Sequence, residues 1–316
     1  MKPARLALAL ASTFFLAQGA AWSAPFAYAS NEGSNNVSVI DTATDRVVST
    51  IATGTKPRGI ALSHDGKRLF VSEQDSNAVA VYDTSDGKRV GQVPVGHSPE
   101  AIYVSPDGGS LSVAVEEDNT VAIVDTGSLT VKKRVKTRGK NPEHAVWSPD
   151  GRTLYASAED TDGMDIIDVA SGEVAKSITV GQRPRGIGFL PDGSRAYVAA
   201  EAAGLVDVID TAKQEVLEKL PASLRTNGIT VEPDGKRVFA SSGGKGTVQV
   251  IDTATNRIVA EIPVGERPWN MAITPDGAKL YIACGRSGTV AVIDTARLAK
   301  VADIPVGKLP WGVAIR

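Results

Sequence analysis

The residues of this chain that could carry chemistry stand at two neighbouring positions of a pattern that recurs seven times. The position directly after the proline slot of each G-x-x-P segment holds Arg58, Glu100, Glu143, Arg185, Asn227, Trp269 and Trp311 in turn. The next position adds His144 and Asn270. Carboxylates and imidazole exchange protons, and guanidinium groups bind carboxylates or phosphates. We therefore predict that these nine residues line a site for a ligand or a protein partner.

A second, acidic set accompanies them. Glu116, Glu159 and Glu201 each lie nine residues before a recurring aspartate. Together with Glu100 and Glu143 they offer only oxygen ligands, the kind that calcium and lanthanide ions prefer. The sequence contains no contiguous calcium-binding loop. These five residues are a candidate site for a hard cation, and no other cofactor is predicted.

The composition excludes several other classes of protein. With 34 Lys and Arg against 36 Asp and Glu, the chain has no basic excess of the kind that nucleic-acid binding requires. The single Cys284 excludes a disulfide framework, a cysteine zinc site and c-type haem attachment, and it is predicted to be buried and free. The sequence has no GxSxG motif and no P-loop. An apolar fraction of 42% indicates a folded chain.

The first 24 residues have the pattern of a secretory signal peptide. Lys2 and Arg5 precede an apolar run over 6–17 that is too short to span a bilayer, and small residues follow it. Cleavage is predicted after Ala21, within the interval 19–24. The mature chain, 22–316, is then predicted to be periplasmic and to have no membrane span.

A repeat of 42 residues runs through the whole predicted mature chain. An aspartate that ends an alternating apolar run recurs at steps of 42 or 43 residues, at Asp41, Asp83, Asp125, Asp168, Asp210, Asp252 and Asp294. One repeat contains the alternating segments WNMAIT, KLYIAC, TVAVID and KVADIP, separated by turn residues. Four strands in about 40 to 45 residues are typical of a propeller blade. The sequence therefore predicts an all-β, seven-bladed β-propeller of four antiparallel strands per blade, forming a single domain over 22–316.

The two ends of the chain are predicted to share one blade. The segment 306–316 supplies only a first strand, and the start of the mature chain supplies the other three. A ring closed in this way leaves no open sheet edge. In four-stranded blades, the loops between blades and those between the second and third strands lie on one face. Both sets of candidate residues should therefore converge on one mouth of the central channel.

The blade motif V-G-x-x-P, S/T-P-D-G, Y/F-V-A and T-V-x-V-I-D-T resembles that of the YVTN family of seven-bladed propellers, although no repeat contains the literal tetrapeptide. Within that family, an exported chain of seven uniform blades is most similar to the periplasmic propellers associated with PQQ-dependent alcohol oxidation and its transport. The resemblance implies a protein partner in such a system. It also adds weight to calcium or a lanthanide as a ligand, because PQQ enzymes use these ions.

Several interpretations of the predicted mouth stay open. Its charged residues form a solvated rim of salt bridges, or they hold the cation described above. Alternatively, the mouth binds a protein or a small anion, with Trp269 and Trp311 as anchors and arginines as forks, among them Arg58, Arg183, Arg185, Arg225 and Arg267.

Catalysis is a further alternative. A lactonase-like hydrolase could use Glu143, His144, Arg58 and Arg185 as base and oxyanion support. The absence of a catalytic motif and the uniformity of the blades favour an exported binding or accessory protein over an enzyme. A lactonase-like hydrolase and a pure protein–protein interaction scaffold remain the alternatives.

Overall fold

The computed structural model describes residues 25–316, which form seven four-stranded antiparallel sheets. The innermost strand of each sheet packs against the innermost strands of the two neighbouring sheets, and these contacts run around a complete circle. The sheets are therefore the blades of a propeller around a central channel, and the predicted fold class is confirmed.

The strands follow the repeat in chain order. Blade 1 contains β1 (Phe26–Asn31), β2 (Asn36–Asp41) and β3 (Arg46–Ala52). Blade 2 contains β4 (Pro57–Leu62), β5 (Arg68–Glu73), β6 (Ala78–Asp83) and β7 (Arg89–Pro94). Blade 3 contains β8 (Pro99–Val104), β9 (Ser110–Val115), β10 (Thr120–Asp125) and β11 (Thr130–Lys136). Blade 4 contains β12 (Pro142–Trp147), β13 (Thr153–Ala158), β14 (Gly163–Asp168) and β15 (Glu173–Thr179).

The remaining blades continue this order. Blade 5 contains β16 (Pro184–Phe189), β17 (Arg195–Ala200), β18 (Leu205–Asp210) and β19 (Glu215–Pro221). Blade 6 contains β20 (Thr226–Val231), β21 (Arg237–Ser242), β22 (Thr247–Asp252) and β23 (Arg257–Pro263). Blade 7 contains β24 (Pro268–Ile273), β25 (Lys279–Cys284), β26 (Thr289–Asp294) and β27 (Ala299–Pro305), and β28 (Pro310–Ile315) returns to blade 1. Three single turns of 3₁₀ helix follow second strands, at Glu32–Ser34, Gln74–Ser76 and Glu159–Thr161.

Burial explains the different sequence patterns of the strands. The second strands, such as β13 and β17, are buried on both faces because neighbouring blades cover them. The outermost strands, such as β15 and β23, alternate exposed and half-buried residues because one face meets solvent. The core is thus divided into apolar layers between adjacent blades.

The most regular residues of the repeat have structural roles. Asp125 Oδ1 accepts hydrogen bonds from the backbone N–H groups of Gly127 (3.0 Å) and Ser128 (2.8 Å). Thr126 Oγ1 donates to the carbonyl oxygen of Gly108 at 2.8 Å, which ties this turn to the Pro-Asp-Gly turn. Gly108 has a φ of +75°, a conformation that favours glycine. The Asp-Thr and Asp-Gly pairs of the repeat therefore stabilise turns.

The ring closes in blade 1, as predicted, where β28 pairs antiparallel with β1. Ser30 Oγ accepts from the backbone N–H of Gly312 at 3.0 Å and donates to the carbonyl oxygen of Arg58 at 2.6 Å. This one hydroxyl joins both ends of the chain to the inner strand of blade 2.

Two other predictions concern the cysteine and the N-terminus. Cys284 is buried and free, and burial raises the pKa of its thiol to about 12, so that it stays protonated. The predicted signal peptide and its cleavage site lie outside the described residues. Within 25–316, no helix is long and apolar enough to cross a membrane.

Candidate functional site

One mouth of the channel is formed by the first residues of the seven inner strands, where the sequence places its candidate residues. Contacts between blades that are not neighbours show that these side chains converge on the axis. The rings of His144 in blade 4 and Trp311 in blade 1 lie 6.2 Å apart between centroids. Arg267 Nη2, at the entrance to blade 7, lies 2.8 Å from Glu201 Oε1 of blade 5.

A shared backbone turn brings the chain into the mouth. The residue before each inner strand has a φ between 51° and 61° in all seven blades, at Lys56, Ser98, Asn141, Arg183, Arg225, Arg267 and Leu309. This left-handed conformation costs a non-glycine residue about 1–2 kcal/mol. Every blade therefore contains one strained residue at this position. In blades 5, 6 and 7 that residue is an arginine.

Arg185 is the centre of the polar network. Its Nη1 contacts Glu143 Oε1 closely and lies 3.0 Å from Glu159 Oε2, while its Nε lies 2.9 Å from Glu201 Oε2. The Arg185 side chain is only 12% exposed, and the three carboxylates are buried further. Buried charges persist only when they are paired, so Arg185 holds the three glutamates at the mouth.

Glu143 and Glu159 behave as a pair that shares one proton. Burial opposes ionisation of Glu143, but Arg185 and a hydrogen bond from Glu159 outweigh it and lower the pKa of Glu143. Burial and the hydrogen bond to Glu143 raise the pKa of Glu159. Glu143 is therefore the carboxylate of the pair and Glu159 the carboxylic acid, an arrangement suited to acid–base chemistry.

Arg183 extends the network towards solvent. It contacts Glu159 through Nη2, and its Nε lies 3.4 Å from Glu201 Oε2. About half of the Arg183 side chain is exposed. Arg183 therefore lies between Glu159 and Glu201 at the solvent side of the network. It is the cation of this network that a ligand can reach.

Arg58 and Glu100 form a second ion pair. Arg58 Nη1 lies 2.6 Å from Glu100 Oε1, and Arg58 Nε lies 3.2 Å from Glu32 Oε2. Glu100 is fully buried, and its Oε2 has no hydrogen-bond partner among residues 25–316. Burial and the nearby Glu143 raise the pKa of Glu100 well above its usual range.

The five predicted cation ligands are only partly brought together. Carboxylate oxygens of Glu116, Glu143 and Glu159 lie within 4.8 Å of one another. Glu100 lies close to them, because the charges of Glu116 and Glu143 both raise the pKa of Glu100. Glu201 instead faces arginines. The three oxygen donors suit a hard cation in type, but Arg185 already binds two of them.

The aromatic residues of the mouth have different environments. Trp311 is 4% exposed and packs in the channel between His144 and Trp269, whose ring centroid lies 5.9 Å away. His144 Nδ1 lies 2.6 Å from the hydroxyl of Tyr103, and burial lowers the pKa of His144 to about 4. His144 is therefore neutral at pH 7. Tyr103 was not among the residues predicted from the sequence to line the site, although it is the only aromatic residue at its position in the seven inner strands.

The two asparagines that were predicted to line the site are Asn227 and Asn270. Asn227 is buried at the start of β20. Asn270 Nδ2 donates to the carbonyl oxygen of Trp311 at 3.4 Å, which links blades 7 and 1.

A cavity of about 360 Å³ opens beside the network. Glu201 and Arg183 form part of its wall, and its other residues include Arg225, Arg267 and Trp269. We call it the arginine pocket. It gives a small molecule access to the groups that surround Glu159.

The sequence matches a family model, and the structure resembles several solved structures. A family model described as a lactonase, seven-bladed β-propeller, matches residues 21–90, 88–179 and 170–302. Kuenenia stuttgartiensis hydrazine synthase has a structure 27% identical to this chain, with a TM-score of 0.78 over 85% of this chain and 92% of that one. A putative 6-phosphogluconolactonase from Bacteroides fragilis is 20% identical, with a TM-score of 0.78 over 95% and 100% of the two chains. No curated protein matches the sequence.

Proposed function

Because the chain belongs to the lactonase family of seven-bladed β-propellers, we propose that it is a lactone hydrolase acting at the mouth of the central channel. The main support for this proposal is the Glu143–Glu159 pair, in which Arg185 holds a carboxylate and a carboxylic acid together. The arginine pocket supports this assignment because it brings a small molecule to Arg183 and Glu201. It replaces the accessory function as our first interpretation.

The proposed reaction adds water across the ester bond of the lactone. Glu143 accepts a proton from the attacking water as the new C–O bond forms at the carbonyl carbon. The exposed Arg183 guanidinium stabilises the oxyanion of the tetrahedral intermediate. When the ring C–O bond breaks, Glu159 transfers its proton to the leaving alkoxide. The product is a hydroxy acid, and the proton on Glu143 is released or returned to Glu159.

Replacing Glu159 by Gln removes the transferable proton while keeping the size and one oxygen acceptor of the side chain. We expect lactone hydrolysis to fall by about 10²- to 10⁴-fold, with little change in folding. The measurement is acid release in a pH-stat with a panel of γ- and δ-lactones. The wild-type rate should also decline as the pH rises through the raised pKa of Glu159, because the acid then loses its proton.

The exposed Glu117 provides the matched control. Glu117→Gln makes the same change of side chain in the neighbouring blade and should leave the rate unchanged. A Glu159→Gln variant that is as active as the wild type would contradict the role of Glu159. If the wild type hydrolyses no lactone of the panel, the proposed activity is wrong.

We also propose, as a second candidate, a binding or accessory protein in PQQ-linked alcohol oxidation or its transport. This proposal rests on the sequence resemblance. The supporting observation is the group of Glu116, Glu143 and Glu159, together with the unpartnered oxygen of Glu100, which could hold calcium or a lanthanide. A protein–protein interaction scaffold is the version of this proposal without a cation.

Calorimetric titration separates these versions. Chelator-treated protein should bind calcium or lanthanum, and the double variant Glu100→Gln/Glu143→Gln should lose that binding because two carboxyl groups that can act as anionic ligands are replaced by neutral amides. Glu117→Gln should bind as the wild type does. Absence of heat with both ions in the wild type would remove the cation and leave the scaffold.

Export to the periplasm remains a proposal based on residues 1–24. It is supported by the basic start, the apolar run and the small residues that follow. N-terminal sequencing of the protein recovered from the periplasm tests both export and cleavage after Ala21. Protein found only inside the cell with an intact N-terminus would overturn it.

A further inference from the structure

The first residue of the second strand distinguishes blade 1 from the other blades. In blades 2, 5, 6 and 7 this residue is a cation that donates a hydrogen bond to a backbone carbonyl oxygen of the next blade, at Arg68, Arg195, Arg237 and Lys279. The acceptor is always the residue that follows the repeated aspartate. Blades 3 and 4 have the small residues Ser110 and Thr153. Blade 1 has the apolar Phe26, which is 42% exposed, so the cation is missing between blades 1 and 2.

The junction of blades 7 and 1 shows how such a cation is held. Lys279 Nζ lies 2.9 Å from the carbonyl oxygen of Thr42 and 2.7 Å from Asp45 Oδ2. The hydroxyl of Tyr281 also donates to Asp45. The junction of blades 5 and 6 has the same arrangement, formed by Arg195, Thr253, Asn256 and Tyr197. In both junctions a cation, a tyrosine and a side-chain oxygen fill the space beside the backbone acceptor.

Two of these groups are missing between blades 1 and 2. Phe26 replaces the cation, and Gly87, which has no side chain, stands at the position of Asp45 in the repeat. Tyr28 and the carbonyl group of Thr84 remain. No donor among the described residues bonds to the carbonyl oxygen of Thr84. The junction therefore keeps a backbone acceptor without the donor that four other junctions supply.

A groove lies where these side chains are missing. Its volume is about 970 Å³, and it lies on the face opposite to the mouth, where the inner strands end. Its wall contains Thr84 and is mostly apolar, with Phe26, Tyr28, Leu62 and Pro275. We call it the Phe26 groove. An apolar cavity of this size with a few fixed polar groups is typical of a site for a small molecule.

The charges and the aromatic ring of the Phe26 groove favour a cationic ligand. Lys279 is neutralised by Asp45, and Arg316 is exposed. Asp276 forms no ion pair within 25–316, and its hydrogen bond from Thr274 lowers the pKa of its carboxyl group, so it is ionised at pH 7. Asp276 therefore offers a negative charge to a ligand. Phe26 offers an aromatic face, which also attracts cations.

We propose that the Phe26 groove binds a small organic cation, in which an amidinium, guanidinium or primary ammonium group is attached to an apolar body. The cationic group donates to the carbonyl oxygen of Thr84, as Arg195 does to that of Thr253, and lies close to Asp276. The apolar body packs against Phe26 and Leu62. Because the groove is on the face opposite to the mouth, this proposal does not depend on lactone hydrolysis.

Calorimetric titration with three probes of similar size and different charge tests the proposal. Benzamidine is a cation, benzamide is neutral and benzoate is an anion. The wild type should bind benzamidine about tenfold or more tightly than either of the other two, because only benzamidine makes charge-assisted hydrogen bonds to the acceptors. Equal affinity for benzamidine and benzamide would mean that the groove selects apolar molecules, which contradicts the proposal. A wild type that does not bind benzamidine contradicts it as well.

A variant at position 26 locates the bound probe. Phe26→Arg introduces the residue of blades 2, 5 and 6, which should bond to the carbonyl oxygen of Thr84 and weaken benzamidine binding about tenfold or more. Val259→Arg is the matched control, because it adds the same charge at an exposed position of the outer strand β23 and should bind as the wild type does. Unchanged binding in Phe26→Arg would mean that benzamidine binds elsewhere, for example to the carboxylates of the mouth, and would overturn the proposal.

A second pair of variants tests the charge of the groove and does not depend on the folding of Phe26→Arg. Asp276→Asn keeps an oxygen acceptor for the turn and should weaken benzamidine binding about threefold or more. Asp234→Asn makes the same change at the equivalent position of blade 6 and should have no effect. Equal binding by these two variants would show that Asp276 does not contact the cation, and would remove the groove as its site.

Discussion

Replacing Arg185 by Gln is expected to lower the free energy of unfolding by about 3–5 kcal/mol at pH 7, because it leaves buried carboxylates without their counter-charge. Arg185 is the shared partner of Glu143, Glu159 and Glu201, and all four side chains are largely buried. Urea unfolding followed by circular dichroism measures the change. Lactone hydrolysis should be lost in the same variant, since the carboxyl pair is no longer held.

The pH dependence of this effect identifies its cause. In the wild type, burial opposes ionisation of Glu201, but Arg185 and Arg267 outweigh it and lower its pKa. Its stabilising contribution is therefore present above the unfolded pKa and is lost as the pH falls. Without Arg185, burial raises the pKa values of the three glutamates, so destabilisation grows as the pH rises. The difference between variant and wild type should consequently shrink between about pH 7 and about pH 5.

Arg195 offers a control for this prediction. It is partly buried, and its Nη1 donates to the carbonyl oxygen of Thr253 and to Asn256 Oδ1, with no carboxylate partner among the described residues. Arg195→Gln should cost about 1 kcal/mol and show little dependence on pH. Equal losses in the two variants at both pH values would mean that Arg185 contributes by packing alone.

The fold could be predicted from the sequence because several independent features of the repeat indicate the same architecture. The period sets the number of blades, the alternation sets the strands, and the turn residues set their ends. The segment KLYIAC, for example, coincides with β25. The position of the candidate residues at one mouth was also predictable, because the place of a residue in its repeat sets its height along the channel.

The partners of these residues could not be predicted, because they depend on how far side chains reach between blades. Arg267 reaches across blade 6 to Glu201, and Trp311 packs on His144 of blade 4. In the structure the acidic and basic residues of the mouth are interleaved as ion pairs. Glu201 illustrates the consequence, since its arginine partners separate it from the other predicted cation ligands.

Arg286, in the wall of the arginine pocket, was missed in the sequence because a single exposed arginine in a loop is usually a solvated surface residue.

A chain that ends at Pro305 is expected to lose the cooperative fold. It lacks β28, so β1 loses its hydrogen-bonding partner on the channel side and the buried strand FAYASN becomes an open edge. The channel also loses Trp311. The loss should exceed the about 5–15 kcal/mol by which typical domains are stable, and the exposed edge should promote aggregation.

Thermal unfolding and size-exclusion chromatography test this expectation, and two further samples separate its causes. Trp311→Ala in the full chain removes the aromatic side chain but keeps β28, and should cost about 3–5 kcal/mol while the variant still unfolds cooperatively. Adding a synthetic peptide of residues 306–316 to the shortened chain should restore part of the fold, because β28 contributes mainly through its pairing with β1. If the shortened chain is monomeric and melts at the wild-type temperature, closure of the ring does not stabilise the propeller. If Trp311→Ala is as damaging as the deletion, the indole in the channel is the stabilising element, and the strand that carries it is not.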